Sequence, residues 1–200
     1  MNILHVTDNI WQSSGVSVWC VELCESLIDM GHVVKLALQH PDCNKSYPIR
    51  YNEMLTTIKE AMDEFDVGKW DLIHINGVWN WPYHKIAQLA YKYGVPVVWS
   101  PHGSLSRWAL HYKWWKKLPA WWLYQKYDMM RATLIHVTAE NEMNDVRRLG
   151  LDNKVVLVPL GVHMPICGGI TATDGGAIAS GHNKKAEGSS IAIESTCTGS

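Results

Sequence analysis

Three short stretches carry residues that could do chemistry together. In Pro96-Val97-Val98-Trp99-Ser100-Pro101-His102-Gly103, an imidazole and a glycine stand just beyond a run of β-branched and aromatic residues that reads as a buried strand. Asp71-Leu72-Ile73-His74-Ile75-Asn76-Gly77-Val78-Trp79 ends the same way, on Asn76 and Gly77 with Trp79 two residues on. Ser14-Gly15 opens a helical pattern. A neutral imidazole offers one donor and one acceptor, and a glycine lets backbone approach a ligand. A helix start exposes N–H groups carrying roughly half a positive charge, a seat for a phosphate or a sugar hydroxyl. His102 is therefore either a ligand-facing side chain or a loop histidine satisfied by carbonyls, and Ser14-Gly15 either an anion seat or a plain tight turn.

The elements that must position these residues alternate. Asn2 to Thr7 reads as a strand, followed by a helix with Val18, Val21, Leu27 and Ile28 inward and a stop at Gly31. His32 to Gln39 reads as a second strand, with a helix expected from about Asn52 to Phe65. Asp71 to Asn76 is a third strand, Pro82 to Tyr93 a helix, and Pro96 to Ser100 a fourth strand. Thr133 to Thr138 is a fifth, Asn141 to Leu149 a helix, and Lys154 to Val158 a sixth. Such alternation predicts an α/β, Rossmann-like, doubly wound parallel sheet with right-handed crossovers. Ligands of that architecture sit beyond the carboxyl ends of the strands, where Asn76, Gly77, His102 and Gly103 fall.

Composition narrows the function classes. The chain has 200 residues, is 47% hydrophobic, and carries a net charge of −1, so no overall field would recruit nucleic acid. Its start lacks a basic region followed by an apolar one, and no run of eighteen apolar residues occurs, which predicts a cytoplasmic chain that is neither exported nor membrane-spanning. The five cysteines have no metal-ligand spacing and fit a reducing compartment, with Cys20 and Cys24 as a small buried pair. No metal site and no resident cofactor are expected. Neither a Gly-x-Gly-x-x-Gly nor a Gly-x-x-x-x-Gly-Lys-Ser motif occurs, which disfavours dinucleotide and P-loop readings.

Two segments stand apart. Trp108 to Arg131 interleaves Trp114, Trp115, Trp121 and Trp122 with Lys116 and Lys117, and is broken by Pro119. The mixture suits an interfacial helix on an anionic membrane, or a helical pair packing its tryptophans on the sheet. Residues 166–200 lack Leu, Val, Met, Pro, Arg and aromatics while holding seven of the fifteen glycines, and so read as a disordered low-complexity tail.

In order and spacing, Asn2 to Thr7 with Ser14-Gly15, the Asp71 to Trp79 segment, Ser100-Pro101-His102-Gly103 with Trp108-Ala109-Leu110, Thr138-Ala139-Glu140, and Val158-Pro159-Leu160-Gly161-Val162 resemble the amino-terminal half of a family 4 glycosyltransferase of the GT-B type. The resemblance covers residues 1–165 and implies one Rossmann-like domain of a two-domain enzyme. Such enzymes move a sugar from a nucleotide-sugar to an acceptor with retention, here a glycan or lipid-linked acceptor in the synthesis of a cell-surface polysaccharide such as lipopolysaccharide or capsule. By that resemblance Ser14 and Gly15 lie near the donor phosphates, and His102 and Gly103 meet the transferred sugar, His102 being the catalytic candidate. Asn76, Gly77, Trp79, Arg107 and Thr138 join the substrate-binding set, and Glu140 closes the far wall. The Trp-Lys segment, read as interfacial, predicts a peripheral place on the inner face of the plasma membrane. Asn76 stands where the family often has a second histidine, and Leu160 and His163 replace the usual Asn and Asp of the interdomain turn. The family's donor-binding domain does not follow in this sequence, so the resemblance implies a fragment inactive alone, its donor domain lost or supplied as a separate subunit. The competing reading is a non-catalytic Rossmann-like module that binds a glycan or a protein partner. A single-domain, metal-dependent transferase would need an Asp-x-Asp pair, which the sequence lacks.

The last core strand is expected to end near Val158. Deletion of residues 166–200 is therefore expected to move the melting temperature by less than about 2 °C, the effect of under 1 kcal/mol in a domain of this size. Loss of the cooperative transition in thermal circular dichroism would show instead that the segment is structural.

Overall fold

A computed structural model describes residues 1–10, 14–41, 48–65 and 68–161. The segment expected to be a disordered tail, and His163, lie outside the described residues. Seven strands form one parallel sheet: β1 (Asn2–Thr7), β2 (Val33–Leu38), β3 (Leu55–Thr57), β4 (Leu72–Asn76), β5 (Val97–Ser100), β6 (Leu134–Val137) and β7 (Val155–Leu157). Their spatial order is β3-β2-β1-β4-β5-β6-β7. The chain therefore winds outward from β1 through β2 to β3, then returns to the other side of β1 and winds out again. Six strands stand where the sequence places them, to within one or two residues.

The seventh corrects the helix expected from Asn52 to Phe65. That stretch is a 3-10 turn at Asn52–Met54, the edge strand β3, and a short helix α2 (Ile58–Asp63). Two adjacent β-branched residues, Thr56 and Thr57, favour extended backbone, and Leu55 to Thr57 pair with Leu36 to Leu38. Thr57 then starts the helix with a reciprocal cap. Its hydroxyl accepts the Glu60 N–H at 3.1 Å, while the Glu60 carboxylate accepts the Thr57 N–H at 2.8 Å.

The two faces of the sheet differ. One is apolar: Leu4, Val6, Ile73, Ile75, Val97, Trp99, Ile135 and Val137 pack with Tyr83, Ile86, Ala87 and Ala90 of helix α3 (Trp81–Tyr93). The other faces helix α1 (Gly15–Asp29), whose buried stripe is Ser17, Cys20, Val21, Cys24 and Glu25. Of the four residues expected inward only Val21 is fully buried; Leu27 and Ile28 pack at the edge of that core and Val18 is half-buried. The difference follows from what α1 covers. Along with Ile3, Val34, Leu36 and Leu38, this face carries the buried side chains of His5, Thr7, His74, Asn76, Ser100 and His136. Bulky polar side chains on the sheet call for small residues on the helix opposite.

Between β5 and β6 the chain makes four short helical pieces: α4 (Arg107–His111), α5 (Trp114–Ala120), a π turn at Trp121–Gln125, and α6 (Lys126–Arg131). Pro119 does not break the run, which stays helical and widens into the π turn just after it. Helix α7 (Glu140–Arg148) connects β6 to β7. Among the described residues no helix is long and apolar enough to cross a membrane.

Thr57→Ala removes a cap that fixes both the end of β3 and the start of α2. The expected cost is about 1 kcal/mol, read as a lower urea midpoint with an unchanged slope.

Candidate functional site

The reversal of winding lies between β1 and β4, and a polar crevice of about 250 Å³ opens there beyond their carboxyl ends. Thr7, Asp8 and Asn9 wall it from the β1 side, and Asn76, Gly77 and Asn80 from the β4 side. Ser14 and Ser17 close it at the start of α1, with Tyr83 and Ser104 opposite. Three of the residues singled out from sequence, Ser14, Asn76 and Gly77, thus share one cleft. Ser14 is the cap of α1, its hydroxyl accepting the Ser17 N–H at 3.4 Å, and the first turn of α1 has no acidic side chain to neutralise its positive end. The Ser17 hydroxyl donates to the Asn9 carbonyl at 2.9 Å, joining the β1 loop to the helix. Gly15 is exposed with open space around it, so its lack of a side chain is not demanded by packing.

Gly77 is demanded. Its φ is 114°, and a Cβ would lie 3.3 Å from the Tyr83 ring. Its N–H donates to the Ser100 carbonyl at 2.8 Å and its own carbonyl accepts the Trp99 indole N–H at 2.7 Å, so β5 clamps the β4 loop from both sides.

His102 sits in the left-handed region at φ 50°, immediately before Gly103 at φ 73°. A left-handed non-glycine residue at a strand end is strained backbone held in place by its surroundings. Here the imidazole Nε2–H donates to Asn76 Oδ1 at 3.1 Å, and the Trp19 ring stands edge-on at 5.3 Å. Nδ1 is then the unprotonated nitrogen, and it is buried with no protein partner among the described residues. Burial pushes the His102 pKa down to about 4, with nearby His136 adding to the effect and Glu142 opposing it. The ring is neutral at physiological pH, an acceptor of a hydrogen bond rather than a cation.

Gly103 and Thr138 are brought together by a residue that sequence reasoning missed. Glu142, buried in the first turn of α7, accepts the Gly103 N–H at 2.6 Å through one oxygen. Its other oxygen accepts the Thr138 N–H at 2.8 Å and the Thr138 hydroxyl at 3.0 Å. Glu140, named from sequence as the far wall, is exposed and makes none of these contacts: the carboxylate that reaches the His102-Gly103 loop stands two residues further on, a half-turn round α7. The legible signal was Glu142 four residues after Thr138, a spacing that lets a carboxylate in the first turn fold back onto the preceding backbone. Arg107 is exposed at the start of α4 and Trp79 turns away from the crevice into an apolar cavity, so neither lines the polar site.

Beneath the crevice runs a buried polar row that was equally unforeseen. His74 Nε2–H donates to Ser100 Oγ at 2.7 Å, whose hydroxyl donates to His136 Nδ1 at 2.8 Å, and His136 Nε2–H donates to the Val158 carbonyl at 2.8 Å. Trp19 stacks on His136 at 5.7 Å and meets His74 at 6.0 Å. His5 lies 4.9 Å from His74, with neither ring nitrogen partnered among the described residues. The row could be found by reading each strand at period two, since His5 and Thr7, His74 and Asn76, and His136 and Thr138 recur at that spacing. Cys20 and Cys24 are free and buried under α1, and burial pushes the Cys20 thiol up to about 12, which leaves it unreactive. No group of three or more His, Cys, Asp or Glu among the described residues could hold a metal ion.

A family model described as Glycosyltransferase Family 4 matches residues 13–164. A comparison with curated protein sequences finds no match. Two solved structures of Anabaena Alr3699/HepE are similar in fold. One, in complex with UDP-glucose, has a TM-score of 0.56 at 12% identity and covers 81% of this chain and 44% of its own. The other, in complex with UDP and glucose, has a TM-score of 0.51 at 13% identity and covers 81% of this chain and 45% of its own. This chain therefore spans less than half the length of those structures.

The buried neutral imidazoles set a pH dependence. Burial holds His5 at about 4 in the folded protein against 6.5 for a free imidazole, and His102 behaves alike. The unfolded chain therefore binds protons that the folded chain refuses. The stability these two groups contribute is complete above about pH 6.5 and is lost as the pH drops to about 4, by roughly 3 kcal/mol for His5 and less for the partly solvated His102. Urea melts between pH 7 and 4 measure this, and His5→Leu is expected to flatten the slope over that window.

Proposed function

The chain belongs to glycosyltransferase family 4, and from that premise we propose that it is the acceptor-side domain of a retaining, nucleotide-sugar-dependent transferase. The acceptor is a glycan or a lipid-linked sugar of cell-surface polysaccharide synthesis. A second domain, in the same chain or as a separate subunit, brings most of the nucleotide-binding surface.

The observation that carries this reading is His102: one ring nitrogen is committed to Asn76, which lines the switch-point crevice, and the other is buried, neutral and without a protein partner among the described residues. An Nδ1 lone pair in that position accepts a hydrogen bond from a hydroxyl of the transferred sugar and fixes its orientation. Proton abstraction is a poorer role, because a base that titrates near 4 has little driving force at neutral pH. Asn76, Asn80 and Ser104 supply the mixed donors and acceptors that sugar hydroxyls need. As the donor bond breaks, negative charge grows on the departing nucleotide diphosphate. The amino-terminal end of α1, at Ser14 and Gly15, meets part of that charge, and cationic groups of the second domain meet the rest. The Anabaena structures, which hold UDP-glucose or UDP and glucose, support a nucleotide-sugar as the donor class.

The same reading places the protein on the inner face of the plasma membrane. Trp108, Trp114, Trp115 and Trp122 are exposed beside Lys113 and Lys116, a combination that suits the headgroup boundary. Trp121, assigned to the membrane from sequence, is corrected to the core, where it is 8% exposed, and Lys117 is half-buried with its ammonium donating to the Ala109 carbonyl.

The test is transfer of a radiolabelled sugar to membranes bearing a lipid-linked acceptor, with the chain alone and with a donor domain. Turnover is expected only with the donor domain. His102→Asn, which tolerates the left-handed backbone, is expected to lower it by about 10²-fold while leaving the melting temperature nearly unchanged. Turnover by the purified chain alone overturns the two-domain reading, and full turnover by the variant overturns the role of His102.

A further inference from the structure

Residues 77 and 78 line the polar crevice, and the next residue, Trp79, lines a different cavity of about 460 Å³. Its walls are mainly Trp79, Leu110, Trp114, Leu118, Trp121 and Leu149, with His111 and Lys117 completing a lining that is mostly carbon, and a cavity of this size and character falls in the range that holds small apolar ligands. Trp79 is built to stay in that wall. Its φ of 74° places a bulky residue in the left-handed region. The conformation is held from both sides by the π turn: Gln125 Oε1 accepts the Trp79 N–H at 2.8 Å and the Tyr124 hydroxyl donates to the Trp79 carbonyl at 3.0 Å. A π turn and a strained residue that clamp each other are features that gather at binding sites. The Trp79 indole N–H is itself buried with no protein partner among the described residues.

The surroundings identify the occupant. From Arg107 to Arg131 the chain carries six Lys or Arg and a single acidic residue, Asp128, which is buried and bonded to His84 and Gln88. The basic side chains are therefore not neutralised within their own segment. Lys117 stands 5.7 Å over the Trp79 ring at the cavity wall. Beside the cavity, Trp115 is 58%, Trp122 59% and Leu123 73% exposed. An apolar hollow inside a basic, aromatic surface is complementary to one hydrocarbon chain attached to an anionic head.

We infer that this cavity holds the first part of the hydrocarbon chain of a phosphate-linked lipid acceptor, whose sugar-bearing head reaches the polar crevice past Gly77 and Val78. The inference rests on the proposed lipid-linked acceptor and adds the place of its chain. Trp121 then has a distinct role from Trp115 and Trp122: it lines the cavity and they meet the bilayer, while Trp114, in the cavity wall and still exposed, borders both.

The test uses the purified chain with dodecyl phosphate below its micellar concentration, by titration calorimetry, and with vesicles of phosphatidylglycerol and phosphatidylcholine, by co-sedimentation. Dodecyl phosphate is expected to bind, inorganic phosphate to bind at least about tenfold more weakly, and methylene protons to show nuclear Overhauser contacts to the Trp79 and Trp121 indoles. Leu110→Trp and Leu149→Phe fill the cavity and are expected to weaken dodecyl phosphate by about tenfold or more while leaving vesicle binding within about twofold. Trp122→Ala should do the reverse. Equal binding of inorganic phosphate, unchanged affinity in both filling variants, or contacts to Trp115 and Trp122 in place of Trp79 overturns the inference; the contacts are read on the parent chain and need no variant to fold. Chain binding without sugar transfer, donor domain present, sinks the transferase reading and leaves the cavity assignment standing. Transfer to a lipid-linked acceptor without chain binding does the opposite.

Discussion

The structure hangs on the pairing of β1 with β4. The chain has already wound away from β1 to the sheet edge at β3 when it comes back to lay β4 on the opposite side, with Ile3 to Val6 in register with Leu72 to Ile75. The connections on the two sides of that pair leave in opposite directions, so no crossover covers the gap between the ends of β1 and β4. A cleft there is a topological consequence, not a local feature of any loop. The register then decides what lines it, because Thr7 and Asn76 end the two strands on the same face of the sheet.

The rest of the site is held by donors aimed at few acceptors. Gly77 is fixed between Ser100 and Trp99, His102 by Asn76, and Gly103 and Thr138 by the two oxygens of Glu142. Buried polar groups are costly when unpaired, so a chain of satisfied ones rigidifies the loops that carry them. The imidazoles beneath contribute by staying neutral: burial lowers the pKa of His5, His74 and His102 alike. The buried polar atoms left unpaired among the described residues include His102 Nδ1, on the ring that bonds the crevice residue Asn76, and the indole N–H of Trp79, a residue that lines the apolar cavity.

The segment between β5 and β6 reconciles two demands on its tryptophans. Trp121, Tyr124, Gln125 and Met129 face inward and pin Trp79 and α3, while Trp115, Trp122 and Leu123 face out. Adjacent tryptophans cannot share a helical face, so a Trp-Trp pair gives one side chain to each task.

By itself the sequence determined the alternation of strands and helices, because runs such as Leu72 to Ile75 and Val97 to Trp99 are apolar over the length of a strand and stop at glycine, proline or a polar residue. It also determined that Asn76, Gly77, His102 and Gly103 lie at strand ends, since that follows from chain order alone. Strand β3 stayed hidden because Leu55 to Thr57 is too short to show a period, and only pairing with β2 makes it a strand. Glu142 in place of Glu140 was decided by the rotation of α7 about its axis, and the burial of Trp121 by the packing of the π turn against Trp79. The polar row under α1 needed the register of four strands at once. Local spacing marks Glu142 and the alternating histidines as candidates, but which residues distant in sequence share a surface is decided only when the sheet order and the helix rotations are set.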